Sequence, residues 1–353
     1  MTVAADRLHF ILPGRIDQPT GGYRYAARIV AEMRAQGTEV LVHALAGRHP
    51  EPDTAARLAA AACLAGLPDG ARLVLDGLAL PAFEACLRAH RGRLRLHALV
   101  HHPLPLEAGL DLATRHAFAA LEAALLPCCS SIVVTSPTTR GLLATGYGLD
   151  ADRIRVVRPG TDRPRGRPAG RISGPTRLLC VATLTPRKGH LRLLAALAHC
   201  RDLDWRLVCV GPTDRDPATA RAVRAAVSRL GLGGRVRLTG ALPEAAMPAQ
   251  YAAADVFVLA SALEGYGMAF AEAMAHGLPI VGTGAGAVRE TVPRAAGLIV
   301  PVTNREALTR ALRAVLSHAS LRRRLAAGAR RAGRRLPSWP QSAAAFAQAV
   351  AAA

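Results

Sequence analysis

The chain has 353 residues, a formal net charge of +20, and a composition that is 51% hydrophobic but 4% aromatic. This length fits two domains of ordinary size, and this hydrophobic content excludes a disordered protein. No stretch reaches the roughly 18 uncharged apolar residues that a membrane span needs, and residues 1–9 lack the pattern of a signal peptide. We therefore expect a cytoplasmic protein.

The N-terminal part alternates short apolar runs with helical patterns. The run at 8–12, a loop with Gly21 and Gly22, a helical pattern at 25–33 and a second run at 40–43 form one predicted βαβ unit. Further strands are predicted at 72–75, 96–100 and 131–135. The alternation predicts a parallel, doubly wound sheet that helices cover on both faces.

Two local features of this part carry little information by themselves. Gly21-Gly22 is consistent with a plain tight turn. The pair His101-His102 follows a predicted strand, where neighbouring side chains point to opposite faces, so it predicts no metal site. A histidine that caps its loop is the plain interpretation.

A segment rich in Pro, Gly and Arg at 163–175 predicts a linker, after which the alternation of strands and helices restarts. Strands are predicted at 178–182, 207–210, 236–238, 256–259, 280–281 and 298–300. We therefore predict an α/β protein with two Rossmann-like domains, residues 1–165 and 176–335, facing a cleft. Residues 336–353 form a predicted tail helix.

The chain contains 44 arginines and one lysine, Lys188, which stands in a loop between a predicted strand and a predicted helix. Its neighbour Arg187 offers a planar fork and Lys188 a compact charge, so the two suit different oxygens of one diphosphate. Strand, basic loop and helix together predict a phosphate clamp.

The segment Glu264-Gly-Tyr-Gly-Met-Ala-Phe-Ala-Glu272 places two carboxylates eight residues apart around a loop that opens a helix. Backbone N–H groups at a helix start bind phosphate, and Gly265 and Gly267 permit close approach. The carboxylates can accept hydrogen bonds from hydroxyls at the two ends of one ligand. Phosphate between two polyols describes a nucleotide sugar, while two solvated helix carboxylates are the plain alternative.

The seven cysteines form no C-x-x-C pair and have no histidine at zinc spacing. We expect free buried thiols and no metal site.

Residues 310–335 hold nine arginines and no acid on a pattern that predicts a helix. Such a run is typical either of a solvated helix in an arginine-biased chain or of a surface for nucleic acid or anionic membrane. No aromatic residues are interleaved with these arginines, so we expect no nucleic-acid partner. Peripheral association with the inner face of a membrane stays open.

The spacing of Glu264 and Glu272, with the glycines between them, resembles the Glu-x7-Glu signature of retaining glycosyltransferases of family 4, which have the GT-B fold. The resemblance implies that Glu264 contacts the donor sugar and Glu272 the ribose. It also implies that Arg187 and Lys188 stabilise the leaving diphosphate. The family often carries an arginine about five residues before the lysine, where this chain has Thr183.

The resemblance implies further roles in other parts of the chain. The loop of Gly21 and Gly22 would approach the donor diphosphate, and His101, favoured over His102, would contact the sugar. Trp339 would anchor a tail helix that crosses back onto the N-terminal domain. The remaining implied donor-binding residues are Leu242, in the segment where the family places its nucleobase contacts, and Gly265, Tyr266, Gly267, Met268 and Ala269.

By this resemblance the protein is a retaining, metal-independent hexosyltransferase that uses a UDP- or GDP-linked sugar and no further cofactor. Its acceptor is expected to be a glycan or a lipid-linked hydroxyl compound. Two alternatives stay open at this point: a nucleotide-sugar epimerase on the same scaffold, and a basic protein that binds nucleic acid or an anionic surface.

Overall fold

The computed structural model describes residues 7–107, 109–164 and 174–351. The chain divides into two compact units. Unit 1 comprises residues 1–160 and 337–353, and unit 2 comprises residues 161–336. Most of the predicted linker at 163–175 lies outside the described residues.

Unit 1 is built on a six-stranded parallel sheet with the order β2-β1-β3-β4-β5-β6. Every residue of β1 is buried, as expected for a central parallel strand whose two faces are covered. The strands are β1 (Leu8–Pro13), β2 (Val40–Leu45), β3 (Arg72–Asp76), β4 (Arg95–Val100), β5 (Ser131–Val134) and β6 (Ile154–Val156).

Side-chain caps mark where several helices of unit 1 begin. Asp53, Asp111 and Ser136 each accept a hydrogen bond from a backbone N–H three residues later, which satisfies one of the unpaired donors of the first turn. The helices are α1 (Gly21–Ala35), α2 (Thr54–Ala65), α3 (Leu87–His90), α4 (Leu112–Leu125) and α5 (Pro137–Tyr147).

Unit 2 repeats this design with a second six-stranded parallel sheet of order β12-β11-β10-β7-β8-β9. Its core holds the fully buried rings of Trp205, Phe257 and Phe270. The strands are β7 (Thr176–Val181), β8 (Trp205–Val210), β9 (Val236–Leu238), β10 (Val256–Leu259), β11 (Ile280–Thr283) and β12 (Gly297–Val300). The prediction of two doubly wound parallel sheets is confirmed.

The prediction of one helix over 310–335 is wrong, because the helix breaks at His318, whose backbone is extended (φ −117°, ψ 97°). Arg322 donates hydrogen bonds to the carbonyl oxygens of Val315 and Leu316 and so satisfies the end of the preceding helix. The helices of unit 2 are α6 (His190–Ala198), α7 (Pro217–Arg229), α8 (Met247–Ala253), α9 (Met268–Ala275), α10 (Val288–Thr291), α11 (Arg305–Ser317) and α12 (Ala319–Gly333).

The last helix, α13 (Trp339–Ala351), belongs to unit 1, as the family resemblance implies. The ring of Phe346 lies 6.1 Å from that of Phe10 and 6.4 Å from that of Tyr25. The guanidinium of Arg28 lies 5.1 Å from the centre of the buried Trp339 ring. Among the described residues, none of the helices combines the length and the apolar character needed to span a bilayer.

Candidate functional site

The centre of the candidate site in unit 2 is a part-buried ion pair between Lys188 and Glu264. The ammonium Nζ of Lys188 donates to both carboxylate oxygens of Glu264, at 2.7 Å and 2.9 Å. Glu264 is 7% exposed. The pair therefore joins the basic loop after β7 to the loop between β10 and α9, two segments that the sequence singles out separately.

The basic loop is fixed in place by its backbone. Gly189 has φ +68°, and a Cβ at this position would overlap the carbonyl oxygen of Ala260 at the end of β10. A backbone hydrogen bond of 2.7 Å runs from the N–H of Ala262 to the carbonyl of Arg187. The loop thus packs so closely against the end of β10 that a side chain at position 189 would displace it.

Arg187 lies beside the ion pair. Its Nη1 donates to the carbonyl oxygen of Leu263 at 3.0 Å and lies 3.9 Å from Oε2 of Glu264. The structure therefore gathers the three charged residues Arg187, Lys188 and Glu264, and two positive charges meet one carboxylate.

The environment of Glu264 favours its ionised form. Burial acts to raise the pKa of Glu264, but the charges of Lys188 and Arg187, and hydrogen bonds from Lys188 and Ser261, outweigh it and hold the pKa below its ordinary value. The hydroxyl of Ser261 donates to Oε1 of Glu264 at 2.6 Å. Both carboxylate oxygens are thereby held in one orientation.

The glycine segment forms a turn that opens α9. Gly267 has φ +93° at the helix start, and a Cβ there would lie 2.8 Å from the ring of Phe270. The carbonyl of the buried Tyr266 accepts a hydrogen bond of 2.6 Å from the hydroxyl of Thr291. The neighbouring Gly265, Met268 and Ala269 are half-buried.

Glu272 stands one turn inside α9 and is half-buried. Its Oε2 accepts a hydrogen bond of 2.7 Å from the hydroxyl of Tyr251 on α8. The Tyr251 ring stacks on that of His276, with 4.7 Å between ring centres. The second carboxylate therefore has its own support, separate from Lys188.

In unit 1, three residues lie close together at the carboxyl edge of the sheet: Gly22, His101 and Asp76. A Cβ on Gly22 would lie 3.1 Å from Nε2 of His101, and that nitrogen lies 3.3 Å from Oδ2 of the buried Asp76. His102 contacts a different residue: its Nε2 lies 2.6 Å from Oε2 of Glu107. The geometry thus groups His101, and not His102, with the glycine loop.

Two predicted residues, Gly21 and Leu242, lie outside these clusters. Gly21 is the first residue of α1, and a Cβ there would meet no heavy atom within 4 Å. Leu242 follows β9 and packs against the core of unit 2.

Sequence reasoning missed several supporting residues. Asp76 carries a readable signal, since it is an acidic residue that ends an apolar strand. Tyr251 carries none, because its partner Glu272 lies in another helix, whereas Ser261 lies only three residues before its partner Glu264. The structure also gathers Cys180, His190 and Cys209 into a buried group with ligand atoms within 4.8 Å of one another.

Two family models match this chain. The model described as Glycosyltransferase Family 4 matches residues 19–165, and the model described as Glycosyl transferases group 1 matches residues 162–332.

Relatives with assigned activities are similar at about 30% identity. A D-inositol 3-phosphate glycosyltransferase of Xylanimonas cellulosilytica is 32% identical over 57% of this chain and 51% of its own length. The MMP alpha-(1->4)-mannosyltransferase of Mycolicibacterium hassiacum is 29% identical over 84% of this chain and 74% of its own. The chain thus spans about half the length of the first of these relatives.

Solved structures show the same fold at lower identity. Sucrose-phosphate synthase from Thermosynechococcus elongatus has a TM-score of 0.81 at 20% identity and covers 97% of both chains. Anabaena HepE, solved in complex with UDP-glucose, has a TM-score of 0.76 at 17% identity and covers 98% of this chain and 100% of its own. The two glycosyltransferase models together match residues 19–332, and the chain has the GT-B fold of these solved structures.

Proposed function

We propose that the protein transfers a sugar from a nucleoside-diphosphate sugar to an acceptor hydroxyl, with retention of the anomeric configuration. The observation that carries this proposal is the cluster of Arg187, Lys188 and Glu264 beside the turn that opens α9. Fixed positive charge next to a helix start suits a diphosphate, and the carboxylate suits the hydroxyls of a sugar.

In the proposed reaction the bond between the anomeric carbon and the diphosphate oxygen breaks, and the diphosphate leaves with the bonding electrons. Arg187 and Lys188 neutralise the charge that develops on it, and the loss of one such donor costs about 3–4 kcal/mol of transition-state stabilisation. The acceptor oxygen attacks from the same face and its proton passes to the leaving diphosphate. The products are a glycoside and a free nucleoside diphosphate.

The contacts of Glu264 support a positioning role over a nucleophilic one. Both of its oxygens accept hydrogen bonds from Lys188, and Oε1 accepts another from Ser261. A carboxylate engaged in this way is a weak nucleophile, which favours the same-face mechanism over a double displacement through Glu264. We assign Glu264 to the donor sugar, Glu272 to the ribose, and His101 to a second contact with the sugar.

The relatives support a nucleotide-sugar donor and an α-linked product. One is named an alpha-(1->4)-mannosyltransferase, and one similar structure contains UDP-glucose. We propose a UDP- or GDP-linked hexose as donor and no metal in the transfer step. The acceptor is proposed to be a glycan or a lipid-linked hydroxyl compound.

Replacement of Lys188 tests the proposal. With a donor and acceptor identified by screening nucleotide sugars for thermal stabilisation, Lys188→Ala should lower the release of free nucleoside diphosphate by about 100-fold or more, since one fixed charge on the leaving group is lost. Arg206→Ala, which removes an exposed charge from β8 of the same unit, is the matched control. Near-parental turnover in a folded Lys188→Ala protein would refute the assignment.

The two alternatives predict different products. An epimerase would convert the nucleotide sugar without an acceptor and without net release of nucleoside diphosphate, and the described residues suggest no added acid–base pair for that reaction. A nucleic-acid-binding protein would shift labelled nucleic acid and release no nucleoside diphosphate from any donor. Incubating the protein with donor alone, and then with nucleic acid, separates the three functions.

A further inference from the structure

A second group of reactive side chains lies inside unit 2, apart from the ion pair. Cys180 on β7 and Cys209 on β8 are direct partners in the register of these parallel strands. His190, the first residue of α6, covers them from the helix layer. The three residues are 1–3% exposed, so water has almost no access to their polar atoms.

The donor atoms are arranged for a single ion. The ligand atoms of the three residues all lie within 4.8 Å of one another, and Nε2 of His190 lies 3.8 Å from Sγ of Cys180. Some point therefore lies within about 2.8 Å of all three, against about 2.3 Å for a zinc–thiolate bond and about 2.0–2.1 Å for a zinc–imidazole bond. A contraction of about 0.5 Å for the two thiolates and about 0.7–0.8 Å for the imidazole, within the reach of small rotamer changes, brings the three ligands to bonding distance.

The polar atoms of this group are poorly satisfied by protein alone. Nδ1 of His190 is buried, and the structure gives it no hydrogen-bond partner within residues 7–107, 109–164 and 174–351. A buried ring nitrogen without a hydrogen-bond partner is costly in an apolar core.

Charge selects the ion. Two thiolates and a neutral imidazole bind soft or borderline cations, of which Zn²⁺ leaves the whole group electrically neutral. Neutrality matters here, because an uncompensated charge at this depth is strongly disfavoured. A singly charged ion such as Cu⁺ would leave one negative charge in the core.

We propose that Cys180, His190 and Cys209 supply three protein ligands to one Zn²⁺ ion, which ties β7 and β8 to the start of α6. His190 follows the segment Arg187-Lys188-Gly189 directly, so the ion fixes the base of the loop that carries Lys188. The inference depends on the three ligands alone and stands whether or not the proposed transfer reaction is correct.

The first test is made on the unaltered full chain. Protein prepared under reducing conditions and freed of metal by a chelator should take up about one Zn²⁺ per chain from added zinc chloride and gain thermal stability, as for a ligand that binds the folded state. Cobalt(II) chloride in place of zinc should give the intense near-ultraviolet band of thiolate-to-metal charge transfer. No zinc uptake, or cobalt uptake without that band, would overturn the proposal.

The second test uses variants with a matched control. Cys180→Ala and His190→Ala should each lose at least about tenfold in zinc affinity, as expected for removal of one ligand from a metal site. Cys200→Ala, which removes another buried thiol of the same core, should bind zinc like the parent. Equal losses in Cys200→Ala would show that the effect comes from core damage and overturn the assignment.

A redox pair is the competing use of the two cysteines. Mass spectrometry of oxidant-treated protein tests for a Cys180–Cys209 disulfide. If that disulfide forms and the reduced protein does not bind zinc, the two cysteines are a redox pair and the metal site is refuted. Protection of both thiols from an alkylating reagent by zinc, and not by magnesium, would support the metal site.

Discussion

At the level of single residues, the one lysine of this arginine-rich chain has a defined partner, because Lys188 forms a part-buried ion pair with Glu264. The ammonium reaches both oxygens of one carboxylate at 2.7 Å and 2.9 Å while Arg187 lies beside the same group. Removing one partner of a buried pair commonly costs about 3–5 kcal/mol, because the other charge is left without compensation. This pair therefore links the stability of the loop to the site that we propose for the donor.

The two carboxylates of the Glu264–Glu272 segment should differ in phenotype. Glu272→Ala should weaken binding of free nucleoside diphosphate, since we assign Glu272 to the ribose. Glu264→Ala should spare or strengthen that binding, because it releases Lys188 for the phosphates, and should impair turnover of the intact donor. Calorimetric titration with UDP and GDP, and turnover assays with the intact sugar donors, measure the two effects.

Thermal unfolding of both variants is the control, because loss of Glu264 leaves Lys188 without its buried partner. If both folded variants lose nucleoside-diphosphate binding to the same extent, the assignment of separate sugar and ribose roles is wrong.

At the level of elements, Glu122 joins three segments of unit 1. From α4 its carboxylate accepts hydrogen bonds from the backbone N–H of Leu104, at 3.1 Å and 3.2 Å, and from the hydroxyl of Tyr147 on α5, at 2.6 Å. Leu104 lies in the loop that follows His101 and His102. Glu122 is fully buried, so its protonation affects how firmly this loop is held.

Burial raises the pKa of Glu122 to about 7, although the hydrogen bonds from Tyr147 and Leu104 lower it in part. The unfolded chain releases this proton near its ordinary value of 4.5, so the folded state binds more protons between that pH and about 7. The contribution of Glu122 to stability therefore falls as pH rises through this window, by about 3 kcal/mol at most.

We expect Glu122→Gln to remove this slope, because an amide cannot ionise while its carbonyl oxygen can still accept the same hydrogen bonds. The variant should be more stable than the parent at pH 8 and similar to it or less stable near pH 5. Chemical unfolding from pH 4.5 to 8 measures this, with Glu51→Gln, an exposed site, as control. Parallel pH profiles of parent and Glu122→Gln would contradict the role given to Glu122.

The sequence predicts most of the elements because buried parallel strands are short runs of apolar residues bounded by loops. It misses β6, whose three residues Ile154-Arg-Val156 include an exposed arginine and give no periodicity. It also misses the break between α11 and α12 at His318, where neither Gly nor Pro marks the end of a helix.

The candidate site, too, is predicted only in part from the sequence. Local spacing indicates Lys188 and Glu264, since each lies in a loop between a strand and a helix. The contacts among residues far apart in the chain cannot be read from spacing. The partners Cys180 and Cys209 meet only because strands β7 and β8 pair in one particular register, which the sequence does not specify.

At the level of the whole molecule, the net charge of +20 raises the question of an anionic surface. Arg323 and Arg324 on α12 are exposed, whereas Arg322 is engaged with the end of α11. A basic side chain near an anionic bilayer contributes about 1 kcal/mol, and salt screens this attraction. We propose that the α12 arginines attract the protein to anionic membranes.

The double variant Arg323→Ala with Arg324→Ala should therefore bind anionic liposomes about tenfold or more weakly than the parent, since it loses two such contributions. The parent should dissociate from anionic liposomes as the salt concentration rises and should not bind neutral liposomes. Arg221→Ala with Arg224→Ala removes the same charge from exposed positions of α7 and is the control. Equal binding of anionic liposomes by the two double variants, or no binding by the parent, would contradict a membrane role for the α12 arginines. The positive charge would then reflect only the arginine-rich composition.

The placement of α13 in unit 1 has a consequence for the order in which the protein folds during synthesis. A ribosome makes unit 2, one continuous segment, before it makes residues 339–351. Until then the rings of Phe10 and Tyr25, made at the start, lack the cover of Phe346. The first half of the chain to emerge is thus the last to be completed, and its apolar surface needs protection for the time that about 180 further residues take to be translated.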